Sequence, residues 1–188
     1  MRDGAYTKER IEQTALRLFV EQGIAETSIR EIAKEAGVSL GAMYNHYGSK
    51  DDLAWQLFAT NFSKIGSELH LRAEEQTTLE EKFSAMIRYV FELFERDWVL
   101  VTYVFFARHT HLRRVTPEMG NPDVVFRSVI ADAIKRDEIP RQDTRLATSL
   151  VMGAVIQVID SRILGRIKHN LSPLSADVAG RCVRLLKD

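Results

Sequence analysis

Lys50 stands where a lysine is unfavourable, in the first turn of a segment opened by Ser49 and Asp52. A helix N-terminus carries partial positive charge and prefers acids, so an ammonium there makes sense if both face an anion such as a phosphate. Nine and eight residues earlier, Gly41 and Ala42 follow a capping serine, Ser39, and leave room for a surface to approach closely. This is the chemistry of charge and hydrogen bonding, not of bond-making. Residues suited to bond-making are poorly arranged. His109 and His111 are separated by one residue, so on a helix they diverge instead of sharing a metal, and both are expected to face solvent at a helix end. Cys182 has no histidine near it in sequence and sits in an apolar stripe, which reads as inert packing. No glycine loop of the phosphate-cradling kind is present. The chain is therefore read as a non-enzyme with no metal and no cofactor.

The elements that position these residues are legible from Thr27 to Leu53. Ser28 and Glu31 form a capping-box pattern, and Ile29, Ile32, Ala33 and Ala36 give the following short helix its buried stripe. Gly37 falls where a helix ends with positive φ, so the chain can turn at once. Ser39 then caps a second short helix, from which Met43 and Tyr47 point to the core. Two short helices at a sharp angle, with a third about to start, spell a helix-turn-helix. A preceding amphipathic helix is expected from about Thr7 to Gly23, burying Ile11, Ala15, Leu18 and Phe19.

Thr27, the Ile32-Ala33 pair, Ala36-Gly37-Val38-Ser39, Gly41, Met43-Tyr44-Asn45-His46-Tyr47 and Ser49-Lys50-Asp51-Asp52-Leu53 together resemble the TetR family of bacterial transcriptional regulators. The resemblance covers about the first third of the chain. Tyr47 stands where that family commonly has phenylalanine, and Asn45 where a larger aromatic is frequent. Carried over position by position, the resemblance implies that Leu40, Gly41, Ala42 and Asn45 face base edges and that Arg30 reaches a guanine. Thr27, Tyr44, Tyr47 and Lys50 would hold phosphates. His46 reads equally as a DNA contact or as a packing histidine bonded to backbone.

Composition bounds the rest. The chain has 188 residues, 45% hydrophobic, and equal numbers of basic and acidic residues, 26 each. Acids outnumber bases, nine to seven, up to Leu53, so net charge does not announce DNA binding, and a single module should bind a duplex only modestly. One cysteine excludes an intrachain disulfide, and the first residues contain no apolar run, so a cytoplasmic location is expected. Scarce proline and glycine and the absence of strand-like alternation predict an all-α fold. The expected division is a three-helix helix-turn-helix domain over 1–50 and a helical effector-binding and dimerisation domain over 51–188.

In that second domain the pattern predicts a long helix through Trp55, Phe62 and Leu69 to Glu74, a capped helix from Thr78 to Asp97, and a third from Trp98 to about His109. A loop at 110–122 and a helix from Asp123 to Lys135 follow, and Ser175 is expected to cap the last helix. The segment from Leu146 to Ile163 is apolar over too broad a surface for a peripheral helix. In the family it resembles, the last two helices pair with their copies, which implies a homodimer interface at Leu150, Ala154, Val158, Val178, Cys182 and Leu185. A wide internal core gives the same periodicity. The aromatics between Phe83 and Phe106 either fill the core or line a pocket; in the second case Trp98, Tyr103, His109 and Gln157 are the polar handles for a small-molecule effector. Together these readings describe a repressor that binds a near-palindromic double-stranded DNA operator as a homodimer and is released by its effector. The alternative is a helical scaffold or small-molecule-binding protein with a vestigial helix-turn-helix.

Overall fold

A computed structural model describes residues 2–106, 111–116 and 119–187; the expected handle His109 lies outside the described residues. The described residues form nine α-helices and no strand. They are α1 (Arg2–Glu21), α2 (Ile29–Ala36), α3 (Leu40–His46), α4 (Lys50–Glu74), α5 (Leu79–Arg96), α6 (Trp98–Phe106), α7 (Pro122–Lys135), α8 (Thr144–Ile163) and α9 (Ser175–Leu185). The chain divides into two compact units, Met1–Asn61 with Val99–Thr116, and Phe62–Trp98 with Pro117–Asp188. The division falls inside α4, and all of α6 except its first residue belongs with the helix-turn-helix.

In the first unit, Ile11, Ala15, Leu18 and Phe19 of α1, with Ile32, Ala33 and Ala36 of α2, are buried, as periodicity predicts. Met43 and Tyr47, Leu53 and Phe58 of α4, and Val101, Tyr103 and Val104 of α6 complete this core. Helix α1 begins at Arg2, a turn before the expected start.

In the second unit, α5 is the central element. A complete Thr78–Glu81 capping box starts it, and its Phe83 meets Phe126 of α7 with ring centroids 5.8 Å apart. Helix α7 is capped by Asn121 with Pro122 in its first turn, where a proline lacks no needed N–H. Just before it the backbone touches α4 directly. A Cβ on Gly66 would lie 2.6 Å from the Gly120 carbonyl carbon, and one on Gly120 would lie 2.5 Å from the Ser63 oxygen. Ser175 is not a cap: α9 starts on it, Leu174 precedes with no side-chain bond, and the Ser175 hydroxyl is buried without a partner.

By length and composition α8, mean hydropathy 1.4, is apolar enough to cross a membrane. Its two faces explain the composition. Ala147, Val151, Met152, Val155 and Ile159 are buried, while Leu146, Leu150 and Ile163 are exposed by 61%, 45% and 41%. Helix α9 departs from expectation. It packs chiefly on α5. Its Val178 and Cys182 are consequently buried within this chain, and burial pushes the Cys182 thiol up to about 11. Of the three α9 residues expected at a dimer interface, only Leu185 is exposed.

Candidate nucleic-acid interface

The backbone of the turn follows from three local devices. The Ser28 hydroxyl accepts from the Glu31 N–H at 3.1 Å, and the Glu31 carboxylate accepts from the Ser28 N–H at 3.4 Å. Gly37 takes φ 62°, ψ 39°, a left-handed conformation open to glycine, and the Arg10 guanidinium occupies the space a Cβ would need. Ser39 then accepts from the Ala42 N–H at 3.1 Å, and α3 leaves at a new angle.

With Met43 and Tyr47 buried, α3 turns Leu40, Gly41, Tyr44 and Asn45 outward. Ala42 and His46 are half-buried beside them. The helix has no acidic residue. It offers apolar contact from Leu40 and Ala42, an amide able to donate and accept from Asn45, and a phenol from Tyr44. Arg30, on α2, is exposed too. Base edges in a major groove are read by such a mixture of forked donors, amides and apolar contacts.

Three expected phosphate ligands have other work. Thr27 is 1% exposed; its hydroxyl donates to the Gly23 carbonyl at 2.8 Å and accepts from Gln22. Tyr47 is 2% exposed and donates to the Glu12 carboxylate of α1 at 2.7 Å. Burial first, then that carboxylate, holds its phenol well above the ordinary range. The Lys50 ammonium donates to the Ala25 carbonyl at 2.9 Å and the Thr27 carbonyl at 2.8 Å, pinning the loop before α2 to the first turn of α4. The positive group at that helix start thus meets carbonyl oxygens of its own chain. These residues brace the outward face.

A second brace went unread in the sequence. Tyr103, expected in a pocket, is fully buried in the first unit, where its hydroxyl donates to the Ala54 carbonyl of α4 at 2.7 Å and its ring stacks on Phe19. The ring of His111 lies against Phe58 and Trp55, and its Nε2 is 3.3 Å from the Tyr103 oxygen. Because the phenol proton points to Ala54, that oxygen accepts, which places the histidine proton on Nε2. His111 is thus buried, not solvent-facing, and burial, aided by Arg114, holds it below the usual histidine value. The Arg114 guanidinium covers the Trp55 ring at 4.1 Å.

Two other expected effector handles fall among the described residues. Trp98 is half exposed in the second unit, and Gln157 is exposed on α8, donating to Asp160.

Residues 11–57 match the family model of bacterial regulatory proteins, tetR family. Over 69 residues the chain is 45% identical to the HTH-type transcriptional regulator AcrR of Shigella flexneri, covering 36% of this chain and 32% of that protein. The match therefore spans about a third of that relative's length. Over 169 residues it is 24% identical to the fatty acid metabolism regulator protein of Bacillus subtilis (strain 168), covering 87% of each. The solved structure of the transcriptional regulator FadR from Bacillus subtilis in complex with stearoyl-CoA superposes with a TM-score of 0.76 at 23% identity, over 93% of this chain and 97% of that one. A bacterial regulatory protein in the tetR family from Rhodococcus RHA1 gives 0.78 at 16% identity, over 96% of both. Over 93% and 96% of its length the chain shares its fold with these two solved structures.

Proposed function

We propose that this chain, whose residues 11–57 match the family model of bacterial regulatory proteins of the tetR family, is a repressor that binds a near-palindromic operator as a homodimer in the cytoplasm. The observation that carries this reading is the face of α3: Leu40 and Tyr44 stand 40% and 58% exposed on a seven-residue helix held by caps and buried anchors on its other side. Arg30, Leu40, Gly41, Ala42, Tyr44 and Asn45 meet the DNA. Thr27, Tyr47 and Lys50 position them.

Two copies are needed because one module offers few bases, and two recognition helices in successive major grooves double the phosphate contacts. The exposed side of α8, with Leu146, Leu150, Ala154 and Val158, together with Leu185 of α9, supplies an apolar surface for that pairing. The effector we infer is a fatty acyl-coenzyme A. Support comes from the match along 87% of the fatty acid metabolism regulator and the shared fold with a protein solved with stearoyl-CoA. Bound effector shifts the pair toward a spacing of modules that no longer fits the duplex repeat; a coupling of about 1–3 kcal/mol is enough for a switch. The test is selection of duplexes from a random pool, followed by release with palmitoyl-coenzyme A. Enrichment of a two-fold symmetric site supports the reading, and an unenriched pool overturns it.

A further inference from the structure

The second unit contains a cavity of about 510 Å³ where the ends of α5 and α8 meet the segment before α9, lined by Phe94, Glu95, Trp98, Arg162, Ile163 and Asn170. That volume suits a small organic ligand. Its construction is asymmetric. Asp97 breaks α5 with φ −146° and ψ 76°, and the next residue, Trp98, is left 49% exposed at the rim. Glu95, the only acid among the described lining residues, is already committed. One of its oxygens accepts from the Leu171 and Ser172 N–H groups at 2.6 and 2.8 Å, and the other from the Ser172 hydroxyl at 2.9 Å. It thereby fixes the backbone next to Asn170.

The cation in the lining, Arg162, has no acid partner among the described residues. From Arg162 to Asn170 the sequence reads RILGRIKHN, with no acid. Among the described residues, Arg162, Arg166 and Lys168 form no ion pair. A half-exposed indole, an unpaired guanidinium, an amide and an apolar wall of Phe94 and Ile163 meet in one place. Planar rings stack on indole, guanidinium forks onto phosphate, and the amide can bond a heterocycle edge.

We propose that this cavity holds the adenine nucleotide head of a coenzyme A thioester, with the purine on Trp98 and a phosphate on Arg162. This rests on the acyl-coenzyme A reading above and gives that effector a place. It also gives the effector a route to the DNA module by covalent continuity. Trp98 is the first residue of α6, the same helix that carries Tyr103, whose hydroxyl bonds Ala54 of α4.

The probe is Trp98 fluorescence in the full-length Trp55→Phe protein, titrated with palmitoyl-coenzyme A, coenzyme A, ADP and palmitate. Coenzyme A and its thioester should quench Trp98, and palmitate should not. Arg162→Ala should weaken both by about tenfold or more, the effect of losing one charged phosphate contact, with an unchanged melting temperature. In the Trp55-containing chain, Trp98→Ala and Arg162→Ala should each raise the palmitoyl-coenzyme A needed to release DNA. If the thioester releases DNA equally from both variants and wild type, the effector reading stands and this site falls. Quenching by coenzyme A that depends on Arg162, with no release of DNA, keeps the site and removes the effector reading. ADP binding as tightly as the thioester overturns the coenzyme A assignment in favour of a free nucleotide, and no quenching by any of them overturns the site.

Discussion

Replacing Lys50 with methionine separates two roles for one ammonium. Its bonds to the Ala25 and Thr27 carbonyls, 2.9 and 2.8 Å, are charge-assisted, a class worth about 1.5–3 kcal/mol each when sheltered. Lys50 is half-buried at the rim of the unit, so solvent screening reduces each to about 1 kcal/mol. Methionine keeps the apolar stem and should cost about 2 kcal/mol of unfolding free energy, read as a lower urea midpoint at constant m. A loosened 24–27 loop must be reordered on DNA, so affinity should fall for every duplex by up to about thirtyfold, the same 2 kcal/mol expressed as a ratio. The slope of log K against log salt should stay within about half a unit of wild type, because no phosphate contact has been removed. A phosphate ligand behaves oppositely: stability is unchanged and the slope shrinks by about 0.9 per contact. Fluorescence anisotropy over a salt series, beside urea melts, reads both quantities. A wild-type urea midpoint together with a reduced salt slope refutes the brace.

Tyr47→Phe removes the hydroxyl that donates to Glu12 and should lower stability by about 1 kcal/mol in urea unfolding, with the helix content unchanged. Gly66→Ala forces a Cβ into the Gly120 backbone, so a loss of about 1–3 kcal/mol is expected, whereas alanine at the open, exposed Gly4 of α1 should be neutral or stabilising. For His111, the unfolded ring titrates near 6.5 and the buried ring lower, so between those values the unfolded chain binds more protons. Stability is thus fully present above about pH 6.5 and declines as pH falls toward the folded value; urea midpoints of His111→Gln should decline less over pH 8 to 5, and parallel curves would contradict the assignment.

Local chemistry was legible. The Ser28, Ser39 and Thr78 caps, the Gly37 elbow and the buried stripes of α1 and α2 each depend on residues within four positions of one another, and all appear as read except Ile29, which is half-buried at the start of α2. Partners distant in sequence were not. Thr27, Tyr47 and Lys50 carry the groups phosphates require, yet Gly23, Glu12 and the 25–27 carbonyls claim those groups first, and nothing in a one-dimensional pattern orders such competitors. A tyrosine where the resembled family commonly has phenylalanine was a usable hint, since a buried hydroxyl needs a partner and Glu12 lies on the neighbouring helix. Periodicity told that α9 buries Val178 and Cys182 but could not say against what; α9 packs chiefly on α5. The same limit hid Tyr103 and His111, whose aromatic neighbours come from α1 and α4.

The outward face of α3 is tested most directly by binding affinity on a selected duplex with Asn45→Ala and Tyr44→Ala proteins that retain wild-type urea midpoints. Loss of about 1–3 kcal/mol of discrimination at particular base positions for Asn45→Ala, and uniform weakening across sequences for Tyr44→Ala, is the expected result. Wild-type affinity and specificity in both variants would mean that this face does not read DNA.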